Sequence, residues 1–217
     1  MMKHSNLLEF LKTHTLFWLV FSTLFFAGIY VLMEYMIHFN HEISVFFSFF
    51  FLPAIYLFYR TMKYGEPLRW GNIDMGFMEG IVIYLIFAGY ILLYYPSHPE
   101  FFKGYQRNGF SLLFRFFLMA LNVASVDFFT KRFIQYPIKE MYGSVISLCV
   151  QTGIWLIAHY PESLWLKDLM GEIGSWVFLA FTGILTGISY NRTENVSGQM
   201  AGHVILNLII VGVVNVL

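Results

Sequence analysis

A single cysteine, Cys149, rules out an internal disulfide. Charge is equally scarce. Only 12% of the 217 residues are Asp, Glu, Lys or Arg, the formal net charge is zero and no basic tract occurs, so nucleic-acid binding has no electrostatic basis. The patterns of several familiar sites are also missing. No His-Glu-x-x-His is present, which disfavours the zincin design. No Gly-x-Ser-x-Gly supports a serine elbow. A P-loop, a Gly-x-Gly-x-x-Gly, a linker and a tandem repeat are absent as well. The first apolar run is too long for a signal-peptide core and lacks a small-residue cleavage site, so it reads as a retained span.

What remains is apolar: 58% of the chain is hydrophobic and the mean hydropathy is +0.64. A helix needs about 20 such residues to cross a bilayer. Segments near 16–37, 43–59, 75–95, 110–130, 144–160, 172–190 and 195–217 meet that need. The expectation is an all-α, multi-pass transmembrane bundle of six to eight spans, forming one membrane domain over 1–217. With seven spans, one side carries Lys3, Lys12, Arg60, Lys63, Arg69, Lys131, Arg132, Lys139 and Arg192, and the other only Lys103, Arg107 and Lys167. That excess places the N-terminus in the cytoplasm of an integral membrane protein, here expected in a bacterial plasma membrane.

Polar side chains at membrane depth are costly and seldom without a role. Gly202-His203-Val204-Ile205-Leu206-Asn207 sets an imidazole and a carboxamide one helical turn apart, on nearly the same face. Gln199 precedes them by a turn and Asn215 follows, making a polar stripe. The pair reads either as interhelical hydrogen bonding or as donors aimed at an oxyanion. His159 closes another apolar run, one turn after Trp155 and just before Tyr160-Pro161, which stops the helix there. Asp127 interrupts a third run. Lys131 at i+4 suggests a local ion pair, whereas Val126, Phe128 and Phe129 suggest a carboxylate in apolar surroundings suited to general-base work. His38, His41 and Glu42 cluster after the first span as a solvated loop or a metal site. Gly183/Gly187 and Gly198/Gly202 have the spacing of close helix packing. Asn191-Arg-Thr and Asn195-Val-Ser fit the glycosylation pattern.

Taken in order, the three polar motifs resemble the CPBP family of intramembrane endopeptidases, relatives of the CAAX prenyl proteases. That family shows Glu-Glu-x-x-x-Arg, then Phe-x-x-x-His, then His-x-x-x-Asn, on separate helices. Here the second stands as Trp155-Leu-Ile-Ala-His159, continued by Tyr160-Pro161, and the third is intact as His203-Val-Ile-Leu-Asn207. The resemblance covers about 110–217, the expected catalytic core. The first motif departs from the pattern. In Asp127-Phe-Phe-Thr-Lys-Arg132, Asp replaces the first Glu and Phe128 the second. The rival register, Val126-Asp127 to Lys131, loses the first acid and the arginine, so the register retaining Asp127 and Arg132 is preferred. Aspartate reaches roughly 1.5 Å less far than glutamate. A misplacement of about 1 Å costs around a hundredfold in rate, so this departure opens a second reading beside the peptidase, one with weak or absent activity.

The resemblance implies a peptidase in which Asp127, oriented with His159, activates a water, and His203 and Asn207 stabilise the oxyanion. Arg132, Trp155 and Gln199 would support the site. No cofactor is expected; the alternative is zinc held by His159, His203 and Asp127. The implied partners are the bilayer and a peptide or membrane-protein substrate. Two rivals stand beside the peptidase: a catalytically impaired scaffold or binding protein on the same fold, and a small-solute transporter. Visible inverted repeats and Pro-broken helix pairs, expected of many transporters, are absent. The whole reading requires Asp127 and His159 to be neighbours. For that, the fourth helix must run through Arg132 to about Tyr136, or the fifth must start later than drawn.

Overall fold

The computed structural model describes residues 4–65, 70–98 and 110–216, and every regular element among them is helical. In chain order these are α1 (His4–Val31), α2 (His41–Phe46), α3 (Leu52–Tyr64), α4 (Met75–Leu92), α5 (Phe110–Asp127), α6 (Tyr136–Tyr142), α7 (Ser144–Ala158), α8 (Tyr160–Thr193) and α9 (Val196–Val216). Wide π-helical turns occupy Leu32–Met36, Phe47–Phe51 and Phe128–Gln135. The second joins α2 to α3 and the third joins α5 to α6, so each pair forms one long rod. Of the residues singled out above, Lys3, Arg69, Lys103 and Arg107, and the side chains of Lys12 and Asn215, lie outside the described residues.

Among the described residues, five stretches are long and apolar enough to cross a bilayer: Thr15–Met36, His41–Lys63, Met75–Leu92, Leu113–Tyr142 and Leu166–Thr193. Two shorter apolar helices, Ser144–Ala158 and Val196–Ile210, complete the bundle. Large apolar side chains such as Leu24, Ile86, Val145 and Ile157 are exposed, as hydrocarbon-facing surface requires. The fourth rod ends well beyond the expected 130, because the π-turn carries the helix on to Tyr142. This extension removes the separation between Asp127 and His159 that hydropathy alone implied.

Local chemistry explains the helix ends. Asp74 caps α4 by accepting from the backbone N–H groups of Gly76 at 2.9 Å and Phe77 at 3.1 Å. Gly65 ends α3 in the left-handed region, with φ 69°. At His159 the backbone leaves helical geometry and α8 restarts at Tyr160 with Pro161 in its first turn, the position proline tolerates best.

The closest helix pairing is between α4 and α9. A Cβ on Gly80 would lie 2.5 Å from the Gly198 carbonyl carbon, and one on Gly202 would lie 2.6 Å from the Gly80 oxygen. Backbones approach this closely only where side chains are missing. A polar latch holds the same pair at one end. Asn195 is buried and donates to the Asn72 carbonyl at 2.6 Å and to Asp74 Oδ1 at 3.1 Å, and Gly198 N–H donates back to its Oδ1. The amide of Asn191 donates to the Ser144 carbonyl at 3.0 Å. Both asparagines of the glycosylation patterns are therefore engaged in packing.

Candidate functional site

Four helices meet around Asp127. The carboxylate lies at the junction of α5 with the π-turn and has no exposed surface. Tyr84, from the middle of α4, donates its hydroxyl at 2.8 Å to Oδ1 and 3.1 Å to Oδ2. Lys131, also fully buried, pairs with Oδ1. His203, from α9, places Nδ1 2.8 Å from Oδ2. Close packing at Gly80 and Gly202 makes this possible, because it sets Tyr84 against α9 beside His203. The phenol and imidazole stack with centroids 4.8 Å apart and planes 7° apart.

Trp155 and His159 form the remaining wall. The indole stacks on the His159 ring at 3.8 Å and lies 5.6 Å from the His203 ring, while the Lys131 ammonium sits 4.4 Å from the indole centroid. Gly183 on α8 makes room for the indole, since a Cβ there would come 2.7 Å from its Cδ1. The His159 and His203 rings are nearly parallel, with centroids 5.8 Å apart. They retain 5% and 7% of their surface, whereas Asp127 retains none. The imidazoles, not the carboxylate, form the accessible edge of the cluster.

Hydrogen bonding fixes the orientation of both rings. His159 Nδ1 lies 2.9 Å from the Trp155 carbonyl oxygen, which can only accept, so Nδ1 carries the hydrogen. His203 Nδ1 faces a carboxylate and likewise donates. Each ring is thereby left with Nε2 as its free nitrogen. The arrangement can hold a polar molecule between two imidazoles and can accept a proton from it.

Asp127, His159, His203 and Trp155 are thus brought together. The other expected residues stand elsewhere. The Asn207 amide donates to its own helix, at the His203 carbonyl, over 3.1 Å. Gln199 is buried and donates to Ser189 Oγ at 2.9 Å, packing α9 onto α8. Arg132 faces away from Asp127, with its guanidinium carbon 4.7 Å over the Tyr136 ring. Phe128 also faces away, between Phe50 and Trp70, with centroid distances of 4.8 and 5.0 Å. The cation on Asp127 is therefore Lys131, as in the rival register, and Val126 precedes it on the side of the core that contains Tyr84 and Trp155.

Two residues of the cluster were not among the expected site residues. Lys131 was legible only as a local pair. Tyr84 sits in a span that is apolar apart from Glu79, and its one signal is its position four residues after Gly80. Metal binding fits poorly. The zinc alternative needs Asp127, whose two oxygens already accept from Tyr84, Lys131 and His203. Among the described residues no three His, Cys, Asp or Glu side chains group as metal ligands; His41 lies 3.4 Å from Glu34 and 3.3 Å from the Tyr30 hydroxyl.

Residues 108–209 match the family described as type II CAAX prenyl endopeptidase Rce1-like. No curated protein and no solved structure matches the chain. The matched segment contains Asp127, Lys131, Trp155, His159, His203 and Asn207, and leaves out Tyr84.

Proposed function

We propose that the chain, whose residues 108–209 form an Rce1-like domain of the CPBP type, is an intramembrane endopeptidase working through a carboxylate-held imidazole. The observation that carries this reading is the 2.8 Å bond from His203 to Asp127, with the parallel ring of His159 alongside. With Nδ1 donating to Asp127, Nε2 is the ring nitrogen of His203 left to act as a base.

A water donating one hydrogen to Nε2 of His203 and the other to Nε2 of His159 has both hydrogens directed. Its oxygen lone pair is free to attack a peptide carbonyl. His203 takes the first proton as attack proceeds and returns it to the departing amine, so the proton count closes. Asp127 keeps the ring oriented and stabilises the imidazolium during the cycle, as the acidic member of a catalytic triad does. Asn207, one turn from His203, is the neutral donor for the oxyanion once its amide leaves the His203 carbonyl. The substrate is a peptide or membrane-protein segment presented from the bilayer, and the N-terminus faces the cytoplasm.

The rival is a non-catalytic scaffold, favoured by the burial of Asp127 in its ion pair with Lys131. A fluorogenic peptide anchored in nanodiscs separates the two. The peptidase reading predicts cleavage that falls by about 10²–10⁴ in both His203→Ala and His159→Ala. Those variants should keep the wild-type thermal transition. Cleavage unaffected by both substitutions sinks the proposed site, and no cleavage by the wild type favours the scaffold.

A further inference from the structure

A seam of polar side chains leaves the Asp127 cluster where α7, α8 and the α5–α6 rod meet. Along α7 the buried residues Ser147, Gln151 and Trp155 recur once per helical turn and lead to His159. They face α8 in antiparallel order. A Cβ on Gly183 would lie 2.7 Å from Trp155, one on Gly187 would lie 2.5 Å from Gln151 Oε1, and Ser147 donates to Asn191 Oδ1 at 3.3 Å. The third side of the seam comes from the rod. Gln135 donates to the Gly187 carbonyl at 2.8 Å, and Lys139 donates to the Asn191 carbonyl at 2.7 Å and to Glu194 at 2.8 Å. Lys139 and Glu194 are partly exposed. α6 ends at Tyr142, α7 starts at Ser144 and α8 ends at Thr193, so the seam reaches the surface at one end of the bundle.

Hydrogen bonding inside the seam is incomplete. Gln135 and Gln151 have no exposed surface and Trp155 retains 1%. Among the described residues, Gln135 Oε1, Gln151 Nε2 and Trp155 Nε1 have no hydrogen-bond partner. A buried donor or acceptor left without a partner is costly, and ordered water commonly supplies one. The two amides approach the same residue, Gly187, from different elements. One of the three atoms is an acceptor and two are donors. An anion would meet the Gln135 oxygen and a cation would meet two N–H groups, whereas water donates and accepts at once and carries no charge.

We propose that Gln135, Gln151 and Trp155 hold a file of ordered water that joins the Asp127 cluster to the aqueous surface at Lys139. One water accepts from Gln151 Nε2 and donates to Gln135 Oε1. A second accepts from Trp155 Nε1, beside the rings of His159 and His203. Polar side chains at membrane depth characteristically face one another or a watery space, and this seam does both. Each hydrolysis consumes one water in a site walled by aromatic rings, and the file replaces it. Occupancy of the seam by water is independent of the peptidase reading; the resupply role rests on that reading.

The full chain is crystallised from a lipid mesophase at a resolution that shows ordered water. A density peak should lie within about 3 Å of both Gln151 Nε2 and Gln135 Oε1. No peak there, or a direct hydrogen bond between the two amides, overturns the proposal. Gln151→Met keeps the length of the side chain and removes the donor. It should lose the peak and lower the thermal midpoint by about 2–4 °C, the effect of one net hydrogen bond in a chain of this size. An unchanged or raised midpoint also overturns the proposal, because taking an unpaired amide out of a dry seam is neutral or stabilising. If the variant fails to fold, the wild-type density still decides. On the membrane-anchored peptide, Gln151→Met should lower kcat about fivefold and leave KM unchanged. An unchanged kcat in a variant that has lost the peak overturns the resupply role. A wild type that holds the water and cleaves nothing sinks the peptidase reading and leaves the water site standing.

Discussion

Nδ1 of His203 lies 2.8 Å from Oδ2 of Asp127, across 76 residues of sequence and between two different membrane rods. Neither group is placed by the other alone. Tyr84 and Lys131 also donate to the carboxylate, both at Oδ1, and the Tyr84 ring supports the imidazole in a parallel stack. The cluster behaves as one unit, so removing single members should have unequal and partly reversible effects.

Asp127→Asn leaves the Lys131 ammonium buried without a counter-charge. Breaking a buried pair from one side costs about 3–5 kcal/mol. The double variant Asp127→Asn/Lys131→Met removes both charges and should recover most of that loss. Thermal unfolding in nanodiscs reads both variants. A single variant as stable as wild type would contradict the ion pair.

Tyr84→Phe keeps the ring on His203 and deletes only the hydroxyl that Asp127 accepts from. A hydrogen bond to a charged group contributes about 1.5–3 kcal/mol. The variant should be destabilised by that amount without loss of helix content by circular dichroism. No change in stability would show that the phenol does not serve the carboxylate.

Gly202→Leu would force apart α4 and α9, since even a Cβ there comes 2.6 Å from the Gly80 oxygen and 2.8 Å from Tyr84 Cδ2. Overpacking of this kind costs about 1–3 kcal/mol. It should also lower any peptidase rate by about a hundredfold, through displacement of Tyr84 and His203 by an ångström or more. Paired cysteines at the two helices, crosslinked in wild type, should lose efficiency in the variant. Unchanged crosslinking and rate would show that the glycine contact does not position the site.

Lys131 and Arg132 are adjacent in sequence and opposite in place. Lys131→Gln should lower peptide cleavage by about a hundredfold, because Asp127 and His203 then lose their fixed geometry. Arg132→Gln should leave the rate within about threefold, given that its side chain stacks on Tyr136 in another cavity. The reverse ranking would restore the register in which Arg132 serves the acid.

Much of this was legible in the chain. His159 and His203 stood out because an imidazole inside an apolar run is expensive, and the helix stop at Tyr160-Pro161 falls where the sequence sets it. The break at Gly171, with φ 77°, lies just ahead of the segment expected from 172. Tyr84 was not legible, since a tyrosine in a span reads equally as core or interface. The π-turn over Phe128–Gln135 leaves no compositional mark, yet it decides where the fourth rod ends. Spacing puts the Asn207 amide one turn from His203 on nearly the same face, but a rotamer decides whether it serves the helix or a ligand, and spacing does not encode rotamers.

The most direct test of the central claim is the rate of peptide cleavage by Asp127→Asn/Lys131→Met, compared with wild type at matched thermal stability. With the charges removed together the fold should survive, while His203 loses the carboxylate charge that would stabilise its imidazolium. The account predicts a fall in kcat of about 10⁴. A stable double variant that cleaves the peptide at the wild-type rate would contradict it.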